Sequence, residues 1–81
     1  MDEQVIYEKL NGIFRNVFMD DEITVKSETF SGDIEDWDSL MQMVLIKEVE
    51  KTFGFTFEAK EATGMKNVGE MVEIIKKKGT V

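Results

Sequence analysis

Residues 35–43 read EDWDSLMQM, and here an acidic, aperiodic segment gives way to apolar residues at helical spacing. Ser39 is followed three residues later by Gln42, which matches the capping box, in which two side chains satisfy backbone amides at a helix start. Asp38 is an alternative N-cap. With either cap, the stretch predicts a helix that begins at about Ser39 and ends before Gly54.

This second helix, expected to end at about Thr52, contains more apolar residues than one buried face accommodates. At least one of Met41, Val44 and Leu45 is therefore expected on the surface. An exposed apolar residue close to Ser39 favours a docking surface that is not purely electrostatic. The residues predicted for the buried side are Leu40, Met43, Val44, Ile46 (or the stem of Lys47) and Val49.

The segment before this helix contains one helix and one long loop. Apolar residues at helical spacing predict a first amphipathic helix from Asp2, its N-cap, to about Phe18. Residues 19–37 lose this period and predict a long loop, which in compact domains tends to be either functional or disordered. Recurrent apolar residues favour an ordered loop, because they can attach it to a core. These residues are Ile23, Val25, Phe30, Ile34 and Trp37.

The segment after the second helix predicts two more helices. Residues 53–57, FGFTF, have strand propensity, but one short run has no evident pairing partner, so we expect an apolar loop. Residues 58–64 predict a short third helix, and Asn67 is a suitable cap for a fourth over residues 68–78. The predicted fold is all-α, a four-helix bundle of three longer helices and one short helix, with a long loop between the first and second helices.

Composition predicts one small domain and argues against an enzyme. The 81 residues, 42% hydrophobic and 33% charged, predict a single globular domain over residues 1–81, expected to be a monomer. No apolar run is long enough to span a bilayer, and the acidic N-terminus lacks the pattern of a secretory signal, so we expect a cytoplasmic protein without membrane insertion. Cysteine and histidine are absent, which removes thiolate nucleophiles and the commonest general base and zinc ligands.

The negative charge of the chain is concentrated in one segment. The net charge is −7, a sign that disfavours nucleic acid as a partner. Residues 20–38 contain eight acidic residues and one basic residue, whereas the other nine acidic and nine basic residues cancel. This field leads into Ser39 and can steer a basic partner towards it. A calcium loop counted from Asp33 is rejected, because Asp38 and Val44 stand where it needs glycine and glutamate, and no metal site is predicted.

Ser39 has a structural and a functional interpretation. If it is only a cap, its replacement by alanine costs about 1 kcal/mol, and the chain is a small, unmodified helical interaction module. If its hydroxyl is exposed at the helix N-terminus, it lies beside free backbone amides and the positive end of the helix dipole, which favour an attached phosphate group. Nothing in the adjacent sequence activates the hydroxyl as a nucleophile, so the chain is then the substrate of another enzyme.

Several stretches together make the chain resemble the acyl carrier proteins. They are TFSGDI at 29–34, DSL at 38–40, the apolar continuation to the FG at 53–54, and NVGEMV at 67–72. The resemblance implies that Ser39 carries a 4′-phosphopantetheine arm through a phosphodiester, added from coenzyme A by a phosphopantetheinyl transferase. It also implies that the arm's thiol carries acyl groups as thioesters. The implied partners are an acyl-loading ligase or acyltransferase and a ketosynthase or other acyl-processing enzyme.

The second helix departs from carriers of primary fatty-acid synthesis, which usually display acidic residues along its exposed side. Asp38 and Glu50 fit that pattern. Met41 and Val44 stand where acidic residues are expected, and Lys51 adds a positive charge. Recognition by the general fatty-acid enzymes is therefore not expected. The residues predicted to contact partners are Asp38, Leu40, Met41, Val44 and Glu48.

Trp37 replaces the small residue that commonly precedes the motif in those carriers. The resulting WDSL start is similar to specialised stand-alone carriers of polysaccharide or secondary-metabolite pathways. We favour Trp37 as an anchor of the loop over a direct partner contact, because a large ring buries much area. The methionines are favoured as gap fillers over the lining of an acyl cavity. The acyl group stays open among fatty acyl, malonyl, hydroxyacyl and aminoacyl, and the pathway among lipid, polyketide and polysaccharide-modification biosynthesis.

Overall fold

The computed structural model describes residues 2–79 and contains in that range four α-helices and no strand. The helices are α1, Glu3–Val17; α2, Ser39–Phe53; α3, Ala59–Gly64; and α4, Val68–Lys78; a 3-10 turn at Ser31–Asp33 lies between α1 and α2. The predicted all-α four-helix bundle, with three longer helices, one short helix and a long first loop, is confirmed. None of these four helices is long and apolar enough to cross a membrane.

The helix ends are set by local interactions that the sequence predicted. Asp2 caps α1 by accepting a hydrogen bond from the Gln4 amide (3.3 Å). Asn67 caps α4 in the same way, by accepting from the Glu70 amide (3.0 Å). Gly54 ends α2 in the left-handed conformation, with φ 71° and ψ 41°, which glycine adopts without steric cost.

A single described core joins the four helices and the loop. Ile6, Leu10 and Phe14 recur every four residues along α1 and are fully buried, because this spacing places them on one helix face. Each such side chain contributes about 1.5–3 kcal/mol through its removal from water. The other helices contribute Leu45, Ile46, Val49 and Phe53 from α2, Ala62 from α3, and Val68, Met71, Val72 and Ile75 from α4.

The loop between α1 and α2 is fastened to the helices, as its apolar residues predicted. Val25 is buried in the core, and Trp37 stacks edge-on against Phe14, with 5.2 Å between the ring centroids. The interpretation of Trp37 as a loop anchor is thereby confirmed. Hydrogen bonds run from Arg15 Nε to the Ile23 carbonyl (2.7 Å), from the Val25 amide to Asn11 Oδ1 (2.6 Å), from the Val68 amide to the Thr29 carbonyl (2.8 Å) and from the Gly69 amide to the Ser27 carbonyl (2.8 Å).

The last turn of α4 is paired with acidic residues elsewhere in the fold. Lys76 Nζ lies 2.7 Å from a Glu3 carboxylate oxygen, and Lys78 Nζ lies 2.7 Å from Glu61 Oε1. The hydrogen bond from Lys78 holds the pKa of Glu61 below its ordinary value. These pairs connect the end of α4 to α1 and α3.

The predicted buried face of α2 is wrong in three positions. Leu40, Met43 and Val44 are exposed, with 72%, 48% and 41% of their surface accessible. The face that is buried instead consists of Leu45, Ile46, Val49 and Phe53, which belong to the same core as the stripe of α1. The expectation that one of Met41, Val44 and Leu45 reaches the surface is confirmed by Val44.

Leu45 and Leu40 test the orientation of α2 as a matched pair. Leu45→Ala opens a cavity in the core and is expected to lower the free energy of unfolding by about 2–5 kcal/mol. Leu40→Ala removes an exposed side chain and is expected to change it by less than about 0.5 kcal/mol. Urea unfolding followed by circular dichroism measures both. Equal unfolding midpoints for the two variants would contradict this orientation.

Candidate functional site

Ser39 is the first residue of α2, and the residue before it is the cap. Asp38 Oδ1 accepts a hydrogen bond from the Met41 amide (2.9 Å), and the Asp38 carbonyl accepts from the Gln42 amide (2.9 Å). The predicted capping box of Ser39 and Gln42 is therefore wrong, and the alternative cap, Asp38, is confirmed. The Ser39 side chain is exposed, and no residue in the described range 2–79 holds its hydroxyl by a hydrogen bond.

The side chain of Gln42 makes two hydrogen bonds across the fold. Its Oε1 accepts from the indole Nε1 of Trp37 (2.6 Å), and its Nε2 donates to the carbonyl of Ala62 in α3 (3.1 Å). This arrangement, which we name the Gln42 bridge, explains why the capping box does not form. The side-chain amide of Gln42 is occupied by these two partners, and Asp38 already accepts a hydrogen bond from a backbone amide of the first turn.

A groove of about 460 Å³ lies beside Ser39, between the first turns of α2 and the end of α3. Its walls combine apolar side chains with polar groups. The residues that define it next to Ser39 are Trp37, Gln42, Met43, Ala62, Met65 and Lys66. A linear chain that starts at the Ser39 hydroxyl therefore has an adjacent surface of both apolar and hydrogen-bonding character.

The electrostatic surroundings of Ser39 are mixed. The preceding loop carries exposed carboxylates, including Glu35 and Asp36, which form a negative field on one side. The amides of the first turn of α2 and the basic Lys66 in the groove wall provide positive charge on the other side. Among residues 2–79, no three acidic side chains lie close enough together to hold a metal ion.

Three apolar residues of α2 form an exposed patch next to Ser39. Leu40, Met43 and Val44, named here the apolar patch, are spaced three and four residues apart and therefore share one side of the helix. Two of them, Leu40 and Val44, were predicted to contact partners. Met43 was assigned to the core, although its spacing of three residues from Leu40 is a signal that the two side chains share a face.

The other predicted partner residues lie in different surroundings. Met41 is half-buried and packs against the core. Asp38 is exposed, but its carboxylate caps α2. Glu48 is half-buried and lies one turn beyond Val44, beside α1, in a shallow groove shared with Lys9. The structure therefore brings Asp38, Leu40 and Val44 together around Ser39 and places Glu48 away from it.

Glu50, one of the two residues that fit the acidic pattern of the second helix, is not on its exposed side. Glu50 is half-buried, and its carboxylate accepts a hydrogen bond from the Phe57 amide (2.7 Å). It fastens the connection to α3 and is not displayed to a partner. Lys47 and Lys51 are exposed on the side of α2 that bears the apolar patch, and neither forms an ion pair within the described residues.

Comparisons with known proteins identify a family and a similar fold. Residues 8–75 match the family model described as "Phosphopantetheine attachment site". The fold is similar to the solution NMR structure of the holo acyl carrier protein from Geobacter metallireducens, with a TM-score of 0.83 and 40% sequence identity over 89% of this chain and 83% of that chain. A search of the curated proteins found no match.

The assignment of the cap predicts unequal effects for two neighbouring substitutions in the unmodified protein. Asp38→Ala removes the acceptor for the Met41 amide and is expected to lower the free energy of unfolding by about 1 kcal/mol. Ser39→Ala removes no described hydrogen bond and is expected to change it by less than about 0.5 kcal/mol. Thermal unfolding of the two variants makes the comparison. A larger loss for Ser39→Ala would restore Ser39 as the cap.

Proposed function

Because the chain belongs to the phosphopantetheine attachment family and is of the acyl carrier type, we propose that Ser39 is the residue that bears its prosthetic group. Members of this family carry a covalent 4′-phosphopantetheine. The observation that supports Ser39 is that its hydroxyl is exposed at a helix N-terminus and is released from capping by Asp38. The groove beside it accommodates a linear chain, so the residues present fit the group.

The attachment step uses Ser39 as a nucleophile that another enzyme activates. A bond forms between Ser39 Oγ and the pantetheine-bearing phosphorus of coenzyme A, the pyrophosphate bond breaks, and adenosine 3′,5′-bisphosphate leaves. The hydroxyl proton passes to a base of the transferase, because this chain has no histidine and the Asp38 Oδ1 is engaged by the Met41 amide.

Once attached, the arm supplies a thiol that carries acyl groups as thioesters, which the cysteine-free chain itself lacks. The protein's own contribution is electrostatic and spatial. The amides of Ser39 and Leu40 belong to the first turn, where no intrahelical acceptor exists, and their N–H groups form part of the positive end of the helix dipole. A phosphodiester at Ser39 is favoured there for the same reason that phosphates bind at helix N-termini.

We propose that the chain is a non-catalytic carrier that acts as one domain over residues 1–81 and as a monomer in the cytoplasm. A flexible tether makes delivery to a partner's active site effectively local, so weak docking is sufficient. The proposed partners are a phosphopantetheinyl transferase, an acyl-loading ligase or acyltransferase, and a ketosynthase or other acyl-processing enzyme. The proposed setting is a specialised pathway of lipid, polyketide or polysaccharide-modification biosynthesis.

Intact mass spectrometry tests the attachment site. The chain is incubated with a phosphopantetheinyl transferase and coenzyme A, and a mass increase of one phosphopantetheine is expected for the native chain and none for Ser39→Ala. Ser31→Ala is the matched control, because Ser31 also lines the groove but precedes the cap, and it is expected to be modified normally. Modification of Ser39→Ala would reject the assigned residue. Failure of the native chain to gain mass would favour the unmodified interaction module.

The proposed docking surface centres on the apolar patch. Leu40, Met43 and Val44 lie beside Ser39, between the acidic loop and the exposed Lys47 and Lys51. A partner that fits this layout has an apolar depression with basic residues on the side of the loop and acidic residues on the side of the lysines. Among the predicted contacts, Asp38 belongs to this surface, and Met41 and Glu48 stay predictions at its margin.

Val44 and Val5 provide a matched test of the docking surface. Both are valines on helices with similar exposure, 41% and 38%, but Val5 lies on α1, away from Ser39. Val44→Glu is expected to reduce kcat/KM of the phosphopantetheinyl transferase about five- to ten-fold, the effect of losing one apolar interface contact of about 1 kcal/mol or more. Val5→Glu is expected to leave it unchanged. Circular dichroism checks that both variants fold, and equal transfer rates would argue against this surface.

A further inference from the structure

The Gln42 bridge joins three segments around the groove, and the proposed attachment of the arm does not use it. Trp37 ends the long loop, Gln42 lies in the second turn of α2, and Ala62 lies in α3. All three residues line the same groove as Ser39. The bridge therefore connects the two walls of the groove to each other and to the loop.

The α3 wall of this groove depends on few interactions. The helix has six residues, of which Ala62 is buried, and a helix of this length is not stable alone. Lys78 forms an ion pair with Glu61 (2.7 Å), in which both side chains are half-buried, and a longer pair with the exposed Glu58 (3.9 Å), which is weak and screened by salt. One additional hydrogen bond to α3 therefore has a large effect on how firmly this wall is held.

Gln42 satisfies a carbonyl that α3 itself leaves unpaired. The helix ends at Gly64, so the Ala62 carbonyl lies in its last turn, where intrahelical donors are lacking. The Lys66 amide, which a longer helix would direct to Ala62, is hydrogen-bonded to Glu70 Oε1 (3.3 Å). The Gln42 side chain thus acts as a C-terminal cap for α3 that is provided by another helix.

Trp37 determines which way the Gln42 amide points. The indole Nε1 is a donor only, so it selects the oxygen of the amide and turns the Nε2 group towards Ala62. The ring is itself held against Phe14 of α1, with 5.2 Å between the centroids. The position of α3 is therefore linked through Gln42 and Trp37 to the rigid part of the core.

We propose that Gln42 is a positioning residue that holds α3 against α2 through the Gln42 bridge and thereby controls the opening of the groove beside Ser39. This proposal rests on the proposed function, because the groove shelters the arm and its thioester only if the arm is on Ser39. With the bridge made, the groove stays narrow. With the bridge broken, α3 moves away from α2, and a thioester near the groove becomes accessible to nucleophiles.

Hydrogen–deuterium exchange of the unmodified protein tests the bridge independently of the arm. The reporter is the Ala62 amide, which donates to the Glu58 carbonyl within the first turn of α3 (3.0 Å). Gln42→Met keeps the length of the side chain and removes both hydrogen bonds. Only the bond to Ala62 reaches α3, so exchange of the Ala62 amide is expected to be about five-fold faster, the factor for one lost hydrogen bond of average strength. Thr63→Ala is the control, because the Thr63 hydroxyl bonds only the Ala59 carbonyl (3.0 Å), and no acceleration is expected.

Two more variants separate the halves of the bridge. Gln42→Glu still accepts from the Trp37 indole but cannot donate to Ala62, so it is expected to accelerate exchange in α3 as Gln42→Met does. Trp37→Phe keeps a ring against Phe14 and removes the donor. When it is combined with Gln42→Met, no further acceleration is expected, because both changes remove one interaction. Unchanged exchange in both Gln42 variants would show that the bridge does not hold α3. If the effects of Trp37→Phe and Gln42→Met on exchange were additive in the double variant, the role of Trp37 would be rejected.

Thioester reactivity tests positioning as opposed to mere stabilisation. The protein is loaded from octanoyl-coenzyme A by a phosphopantetheinyl transferase, and cleavage of the thioester by hydroxylamine is followed by mass spectrometry. Since attack and exchange both proceed through the open state, the Gln42 variants are expected to react about five-fold faster and Thr63→Ala at the native rate. Faster exchange with unchanged cleavage would overturn the positioning role. Absence of loading would instead reject the proposed function, and the exchange measurement would still decide whether Gln42 ties α3.

Discussion

Burial of the face of α2 formed by Leu45, Val49 and Phe53 is the constraint on which the rest of the structure depends. These residues share one core with the stripe of α1. Because side chains project from an α-helix at fixed angles, burial of this face also fixes the direction in which every other side chain of α2 points. Leu40 and Val44 are turned to the surface, and Gln42 is turned towards α3, so the groove and the apolar patch both follow from this one contact.

At the start of α2, one residue caps the helix and the next one presents an exposed side chain. Asp38 takes the capping role, and its carboxylate is engaged with the backbone. The Ser39 hydroxyl therefore does not cap the helix. It lies at the positive end of the helix dipole, beside a groove lined by both apolar and polar residues. The proposed attachment of a phosphodiester to Ser39 requires a hydroxyl that holds nothing else, and capping by the neighbouring aspartate leaves the Ser39 hydroxyl in that state.

The acidic residues of this chain are divided between structural and surface roles. Asp38 and Glu50 both accept hydrogen bonds from backbone amides, but Asp38 stays exposed, whereas Glu50 is half-buried. The negative field comes instead from the loop before Ser39, whereas the exposed lysines of α2 lie beyond the apolar patch. The surface around Ser39 is therefore negative, apolar and positive in succession, and this order differs from that of a carrier with an acidic second helix.

The sequence alone determined the four helices, their bounds to within about one residue, and the motif around Ser39, because caps, helical period and glycine ends act within a few residues of the chain. Tertiary structure alone decided which of two apolar faces of α2 is buried and whether Asp38 or Ser39 caps it. It also decided where Gln42 points, since its partner Ala62 lies twenty residues away. Local signals cannot weigh such alternatives, because their energies differ only once α1, α2 and α3 are packed together.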